Sequence, residues 1–594
     1  MSWVFFGKTT FEKDLVMAVL NSVTAFSSFL LFSVCSGLLV PIDKSGKMTD
    51  SRFSGNQETP LHWRNIAKED LNRRVNWKPN VGVAKNVVFF LGDGMGISTV
   101  TAARILKGQL QGRTGEEGQL AWDKFPNAAL SRTYNQDHTT PDSAGTGTQY
   151  LCGVKSNMGM LGMEARVKRG DCEASKDAHL TSIYNWSVDK GKSVGLVTTT
   201  RVTHATPAAG YAKVADRNWE GDSAMRNVSG KGCKDIALQL VEDNPDIKVI
   251  MGGGRWYFKP NNTVDPENRN MSEHGRQDGR DLVKEWMKDK EQRNLSHRYV
   301  WNATEFDTVD PTQTEYLLGL FDASHMQYEL DRKDPKYEVA GEPSIAEMTK
   351  KAIQVLQRNH DKGFFLLVEG GRIDLAHHAN EPERALHDVL AMEKAVETAM
   401  SLTSKDDTLI VVTADHSHTF VLSGYPSRGN PILGLVDDVD GNILMAEDGK
   451  PYTTLQYTNG PGAIEMEALL HHGTYKGRAN LTSIDTASKD FQTQSAVPLL
   501  YETHAGEDVG IYARGPMSHL FHGVHEQHYI PHAMAFASCV GDYKDDANCA
   551  ASLATFTSAQ HISDPQTSLN SANTLSRLWT QICTMLFVIV LQIS

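Results

Sequence analysis

No Walker motif and no GxGxxG fingerprint occurs in the 594 residues, so the Gly-rich loops of nucleotide and dinucleotide folds are missing. Short-period repeats and low-complexity tracts are missing too, which excludes a solenoid and a largely disordered chain. Positive charge is in deficit. Lys and Arg number 59 against 72 Asp and Glu, a formal net charge of −13 that argues against a nucleic-acid-binding surface. Such a deficit leaves the local field of a site open, because bound cations can reverse it. Long apolar runs are confined to the two ends, and cysteine is scarce, at seven.

The apolar run Val16 to Val40 reads as a secretory signal cleaved after Cys35, and the segment 1–37 is assigned to it, the other readings being a start at Met17 or a retained anchor. The run Leu578 to Ile593 carries no charge and no basic tail, and Asn570, Ser571, Ala572 and Asn573 precede it. This is the pattern of a GPI-anchor signal over 574–594, the other reading being a short single transmembrane helix. Cys35 and Cys583 fall in those segments. The remaining five suggest two disulfides and one free thiol: Cys539 with Cys549, Cys172 with Cys233, and Cys152 left over beside the Gly-rich turn. Sequons at Asn185, Asn227, Asn261, Asn270, Asn294, Asn302 and Asn480 have meaning only on a secretory route, where they are surface sites.

Between the ends, apolar runs alternate with helical stretches. Asn86 to Leu91, Ser193 to Val197, Ile247 to Met251, Phe364 to Val368 and Thr408 to Val412 read as strands buried on both faces. Ser98 to Leu110 and the stretch carrying Leu386, Val389, Leu390, Val396 and Met400 read as helices. The expectation is an α/β fold, a large mostly parallel sheet with helices on both faces. Residues 41–85 form a polar, Trp-containing arm with a helix near Asp70 to Arg74, and 425–489 breaks the alternation as an inserted surface subdomain. A last strand is expected at Val509 to Ala513.

Chemistry-bearing residues follow the strands. Asp93 lies between Gly92 and Gly94, Glu369 follows Val368, and Asp415 and His416 follow Ala414, at the carboxyl ends where open parallel sheets bind ligands. Asp374 and His378 are one helical turn apart and share a face; with His504 they form a two-His, one-carboxylate set suited to zinc. Asp93, Asp415 and His416 form a second such set. Glu369, Asp93 and the Thr206 hydroxyl form an oxygen-rich set suited to magnesium. Ser143, in Thr140-Pro141-Asp142-Ser143-Ala144-Gly145, stands at a Gly-rich helix start and is a candidate nucleophile among those cations.

Four blocks, Pro141 to Gly145, Val368 to Asp374, Thr413 to His418 and Glu502 to Asp508, occur in the order found in animal alkaline phosphatases, and the resemblance runs from about Asp70 to Cys549. It implies a catalytic domain over 86–550 with a crown-like insertion at 425–489, then a linker over 551–573. It implies hydrolysis of phosphate monoesters through a phosphoserine on Ser143, with two zinc ions and one magnesium. Asp374, His378 and His504 would hold one zinc; Asp93, Asp415, His416 and the Ser143 oxygen the other; Asp93, Thr206 and Glu369 the magnesium. Arg217 would bind phosphate, and His204 and His418 would orient the metal ligands. A calcium site is implied at Glu267, the Phe321 carbonyl, Asp322 and Glu342, as are a homodimer and a GPI-anchored position on the outer cell surface. Departures are Leu375 and Ala376, where relatives often carry His and Gly, the exchanged carboxylates Asp322 and Glu342, and Gly147 in place of a frequent Ala. The rival readings are a phosphodiesterase-like metallohydrolase of the same superfamily and a catalytically silent cell-surface receptor. The modified residue motif of sulfatases is absent.

Overall fold

Apolar residues on every position of a strand demand cover on both faces, and that requirement sets the architecture. In the computed structural model, residues 58–549 are described, without 229, 268–269, 335–339, 464–476 and 548. The secretory and anchor signals, the linker and the start of the arm lie outside the described residues. The chain divides into two units, 1–67 and 68–594. In the arm, helix α1 (Pro60–Asn76) buries none of its residues.

Ten strands make the main sheet: β1 (Asn86–Gly92), β2 (Asn127–Arg132), β3 (Ser193–Arg201), β4 (Ile247–Gly253), β5 (His297–Val300), β6 (Tyr316–Leu320), β7 (Phe364–Gly370), β8 (Thr408–Ala414), β14 (Val509–Arg514) and β15 (Gly523–Glu526). The order is β15-β2-β14-β8-β1-β7-β3-β4-β6-β5. From β8 to β5 every pairing is parallel, and β14 alone runs against its neighbours β8 and β2. The expected last strand is therefore not the last. Gly523–Glu526 follows it and closes the edge beside β2, short enough to escape a periodicity reading. Smaller strands complete the count: β9 (Ser417–His418) pairs β13 (His504–Ala505), and β10 (Phe420–Leu422), β11 (Leu455–Gly460) and β12 (Ser495–Pro498) form a three-stranded sheet.

The pleat divides the core in two. Val87, Phe89 and Leu91 of β1 point into one apolar cluster and Val88 and Phe90 into the other. The first is covered by α3 (Ser143–Cys152) and α7 (Tyr529–Ser538), the second by α2 (Ile97–Leu110), α4 (Ile345–Leu356) and α6 (Pro382–Leu402). Each Val, Leu or Phe side chain so removed from water contributes about 1.5–3 kcal/mol. The disulfides Cys172–Cys233 and Cys539–Cys549 are formed, and Cys152 is a buried free thiol. It lies at the far end of α3 from Ser143, its Sγ against the Ala209 carbonyl. None of the seven sequon asparagines is buried.

Candidate active site

Asp93 follows β1, Asp415 follows β8, and Glu369 sits in the last turns of β7, three adjacent strands whose carboxyl ends form one edge. Helix α5 (Arg372–His378) starts just beyond β7 and carries Asp374 and His378 on one face. Because β14 is reversed, its entrance lies at this same edge, and His504 just ahead of it pairs with His418 across β13 and β9. Ser143 opens α3. Asp142 caps that helix through the Gly145 N–H at 3.1 Å, and its Oδ1 also accepts from Gly159 N at 3.0 Å. Gly94 donates to Asp415 Oδ1 at 3.0 Å with φ +68°, and a Cβ there would run into the His418 ring.

Three imidazoles are held alike. His504 Nδ1 meets the Pro141 carbonyl at 2.8 Å, His416 Nδ1 the Ser417 carbonyl at 3.3 Å, and His378 Nδ1 the Glu502 carbonyl. A carbonyl only accepts, so each Nδ1 donates and each Nε2 presents a lone pair inward. Those lone pairs face further acceptors. His378 Nε2 and His504 Nε2 lie 3.1 Å apart, and 3.4 and 3.3 Å from Asp374 Oδ1. His416 Nε2 lies 3.1 Å from Asp415 Oδ2, 3.5 Å from Asp93 Oδ1 and 3.2 Å from Ser143 Oγ. Ser143 Oγ is 3.4 Å from Asp93 Oδ1. Burial first, then the neighbouring His416 for His504 and the His418 and His504 rings for His378, keep these two imidazoles below the ordinary histidine value. Imidazole lone pairs turned towards carboxylates are what a cation relieves.

The carboxylates agree. Asp93 is fully buried, and burial followed by Asp415, Asp374 and Glu369 pushes it well above the usual range. Glu369 is raised to about 7, burial outweighing the hydroxyls of Thr198, Thr206 and Thr200. Asp93 Oδ2 and Glu369 Oε1 are buried with no hydrogen-bond partner among the described residues. Asp93, His204 and Glu369 offer ligand atoms to one point, as do Asp93, Asp415 and His416. Thr206, buried here, accepts from Tyr150 Oη at 3.2 Å.

Arg217 reaches the edge from the side. Its Nη1 donates to Asp142 Oδ2 at 3.0 Å and its Nη2 to His204 Nε2 at 3.1 Å. Burial would raise Asp142, but Arg217 and two backbone donors hold it at about 2. Phe321 and Asp322 follow β6 further along the same edge: Glu267 pairs with Arg255, whose backbone N–H donates to the Asp322 carbonyl, and Gln327 spans Asp322 and Glu342. Sequence reading missed three contributors. Asp142 and Glu502 stand in quoted blocks but carry no signal of role, and half-buried His325, T-stacked on His204 at 5.2 Å, lies in no motif.

The family model for alkaline phosphatase matches residues 84–540, and the chain belongs to the alkaline phosphatase family, enzymes that hydrolyse phosphate monoesters. Among particular proteins, it is 50% identical over 498 residues to the human tissue-nonspecific alkaline phosphatase isozyme, covering 83% of this chain and 91% of that one. The chicken (Gallus gallus) tissue-nonspecific isozyme is 48% identical over 535 residues, 89% of this chain and 96% of its own. The solved alkaline phosphatase of Thermus thermophilus shares the fold with a TM-score of 0.53 at 23% identity, over 77% of this chain and 92% of that one.

Proposed function

We propose that the edge holds two zinc ions and one magnesium, and that hydrolysis passes through a phosphorylated Ser143. The observation that carries this is the set of three imidazoles whose Nδ1 atoms are fixed on carbonyls while their Nε2 atoms face carboxylates. Asp374, His378 and His504 would hold one zinc, Asp93, Asp415, His416 and Ser143 Oγ the other, and Asp93, Thr206 and Glu369 the magnesium. Bound there, such ions supply Lewis acidity, lowering the pKa of the serine hydroxyl and neutralising the leaving oxygen.

Arg217, fixed by Asp142, presents its guanidinium fork to two nonbridging oxygens of the phosphate dianion. Ser143 Oγ attacks phosphorus in line, the Oγ–P bond forms as the P–O bond to the alcohol breaks, and the serine proton passes to the departing oxygen through solvent. Water then attacks the same phosphorus, the Oγ–P bond breaks, and inorganic phosphate and the serine hydroxyl are regenerated. Ser143→Ala is expected to keep zinc content and phosphate binding and to lose most turnover. Near-wild-type turnover in that variant, or full activity after exhaustive chelation, overturns the reading.

The same proposal reads 1–37 and 574–594 as secretory and GPI-anchor signals that place the enzyme on the outer membrane face, consistent with two disulfides and seven surface sequons. Helix α1, exposing Leu61, Trp63 and Leu71, and the 425–489 crown-like insertion are the proposed contacts of a homodimer. Calcium at Glu267, Phe321, Asp322 and Glu342 is part of the proposal. Its support is the nearness of two of those carboxylates through Gln327.

A further inference from the structure

Six cations line a groove of about 980 Å³ at the opposite end of the sheet from Ser143: Lys78, Lys124, Lys405 and Arg514, with Arg73 and Arg74 of α1, the helix proposed above as a dimer contact. One carboxylate, Asp406, lines it with them. In a chain of net charge −13, six cations against one acid is a reversal of the general trend. The placement follows from the topology. Lys78 lies ahead of β1, Lys124 ahead of β2 and Lys405 ahead of β8, while Arg514 ends the reversed β14. All four therefore stand at the amino-terminal end of the parallel strands, with the full length of the sheet between them and Asp93 or Asp415.

Four of the six charges have no counter-charge among the described residues. Lys78, Lys124, Lys405 and Arg514 form no ion pair among the described residues; only Arg73 and Arg74, on α1, share Asp70. Arg514 is half-buried over the Phe125 ring at 5.8 Å, and burial without a counter-charge pulls its guanidinium below its ordinary value. Unpaired cations this close repel one another, a cost that folding accepts and an anionic ligand would remove.

We infer that this groove is a docking surface for a sulfated glycan chain. The two disulfides belong to an oxidising, secretory setting, where nucleic acid is scarce and sulfated polysaccharide is the prevalent linear polyanion. A concave track with cations contributed by four separate segments suits a chain better than a flat bilayer, and clustered Lys and Arg with spaced charges is the composition that binds heparin-like chains. Because the groove is remote from Ser143, an occupant leaves the catalytic edge open.

The test measures binding of the intact, metal-loaded enzyme to a heparin oligosaccharide across a salt series. Phosphomonoesterase activity, melting temperature and solution mass are followed alongside. The expected result is salt-dependent binding that Lys124→Glu combined with Lys405→Glu weakens by about tenfold or more, since each reversal turns an attraction into a repulsion. Both lysines are exposed, so activity, melting and mass are expected to stay as in the wild type, and Lys124→Arg with Lys405→Arg to bind normally. Binding that survives the reversal, or no binding at physiological salt, overturns the inference. So does binding only to phosphatidylserine vesicles, or a change of solution mass in the reversed variant, which would mark the groove as a membrane or subunit contact.

Discussion

Replacing Glu502 by glutamine asks how far a buried charge chain holds the candidate metal cluster. His418 is sealed from water with a carboxylate at each ring nitrogen: Glu502 Oε2 at Nδ1, and Asp374 Oδ1 at Nε2 at 2.8 Å. Two acceptors require two donors, so the ring is an imidazolium. Burial alone would lower its pKa, but Glu502 and Asp374 overcome burial and raise it to about 10. Measured from an unperturbed 6.5, that rise is worth about 5 kcal/mol to the charged ring. Two carboxylates share it, so neutralising one removes roughly half, about 2–3 kcal/mol. Glu502 also accepts from Thr419 N and Oγ1 at 2.6 Å, bonds that an amide oxygen can keep. The expected losses are roughly 5 °C in melting temperature and about 10–100-fold in zinc affinity, because the ring, now neutral, is a weaker donor to the Asp374 carboxylate it orients. Thermal melts and zinc titration of the metal-stripped enzyme, read by activity, measure both. Glu502→Asp, which keeps the charge, is expected to recover part of each. A glutamine variant with wild-type melting and zinc affinity would refute the reasoning.

Asp388 in α6 gives a pH signature away from the site. Burial, only partly offset by Arg372, lifts its carboxyl to about 7. The folded protein keeps that proton up to about pH 7 while the unfolded chain releases it near 3.9, so stability falls as pH rises through this window. Asp388→Asn is expected to be more stable than wild type above pH 7, by up to about 4 kcal/mol, with the gain shrinking towards pH 4. Parallel melting curves against pH would contradict this. Gly147→Ala tests helix packing: alanine ordinarily favours a helix by about 1 kcal/mol, but its Cβ would lie 2.9 Å from Ala209 Cβ. A lower melting temperature is expected, and a higher one would show that α3 has room to move.

The middle of the sheet was legible because burial on both faces writes itself as unbroken apolar runs, as in Val87 to Leu91 and Leu409 to Val412. Strands β2 and β15 were not, since Asn127–Arg132 alternates buried with exposed positions and Gly523–Glu526 buries none of its residues. Direction was hidden as well. No residue of Val509–Arg514 announces that it runs against β8, yet that reversal is what delivers His504 to the edge. Site residues directly after strands, such as Asp93 and Asp415, follow from sheet geometry. Glu502 and His325 do not, because they touch other side chains, and a partner from another segment leaves no mark in local spacing.

The neighbours of β1 carry a consequence for how the chain is made. Asn86 pairs with Thr408, and Val87 with Phe365, so the first strand is flanked on both sides by strands that lie hundreds of residues downstream. At roughly 5–20 residues per second, the ribosome delivers those partners only after tens of seconds. Throughout that interval Val87 to Leu91 emerges with nothing to lie against, a greasy ribbon with both edges bare. Until its second half arrives the newborn chain holds that strand unpaired, and a premature stop ahead of Thr408 leaves the earliest-made strand without its β8 flank.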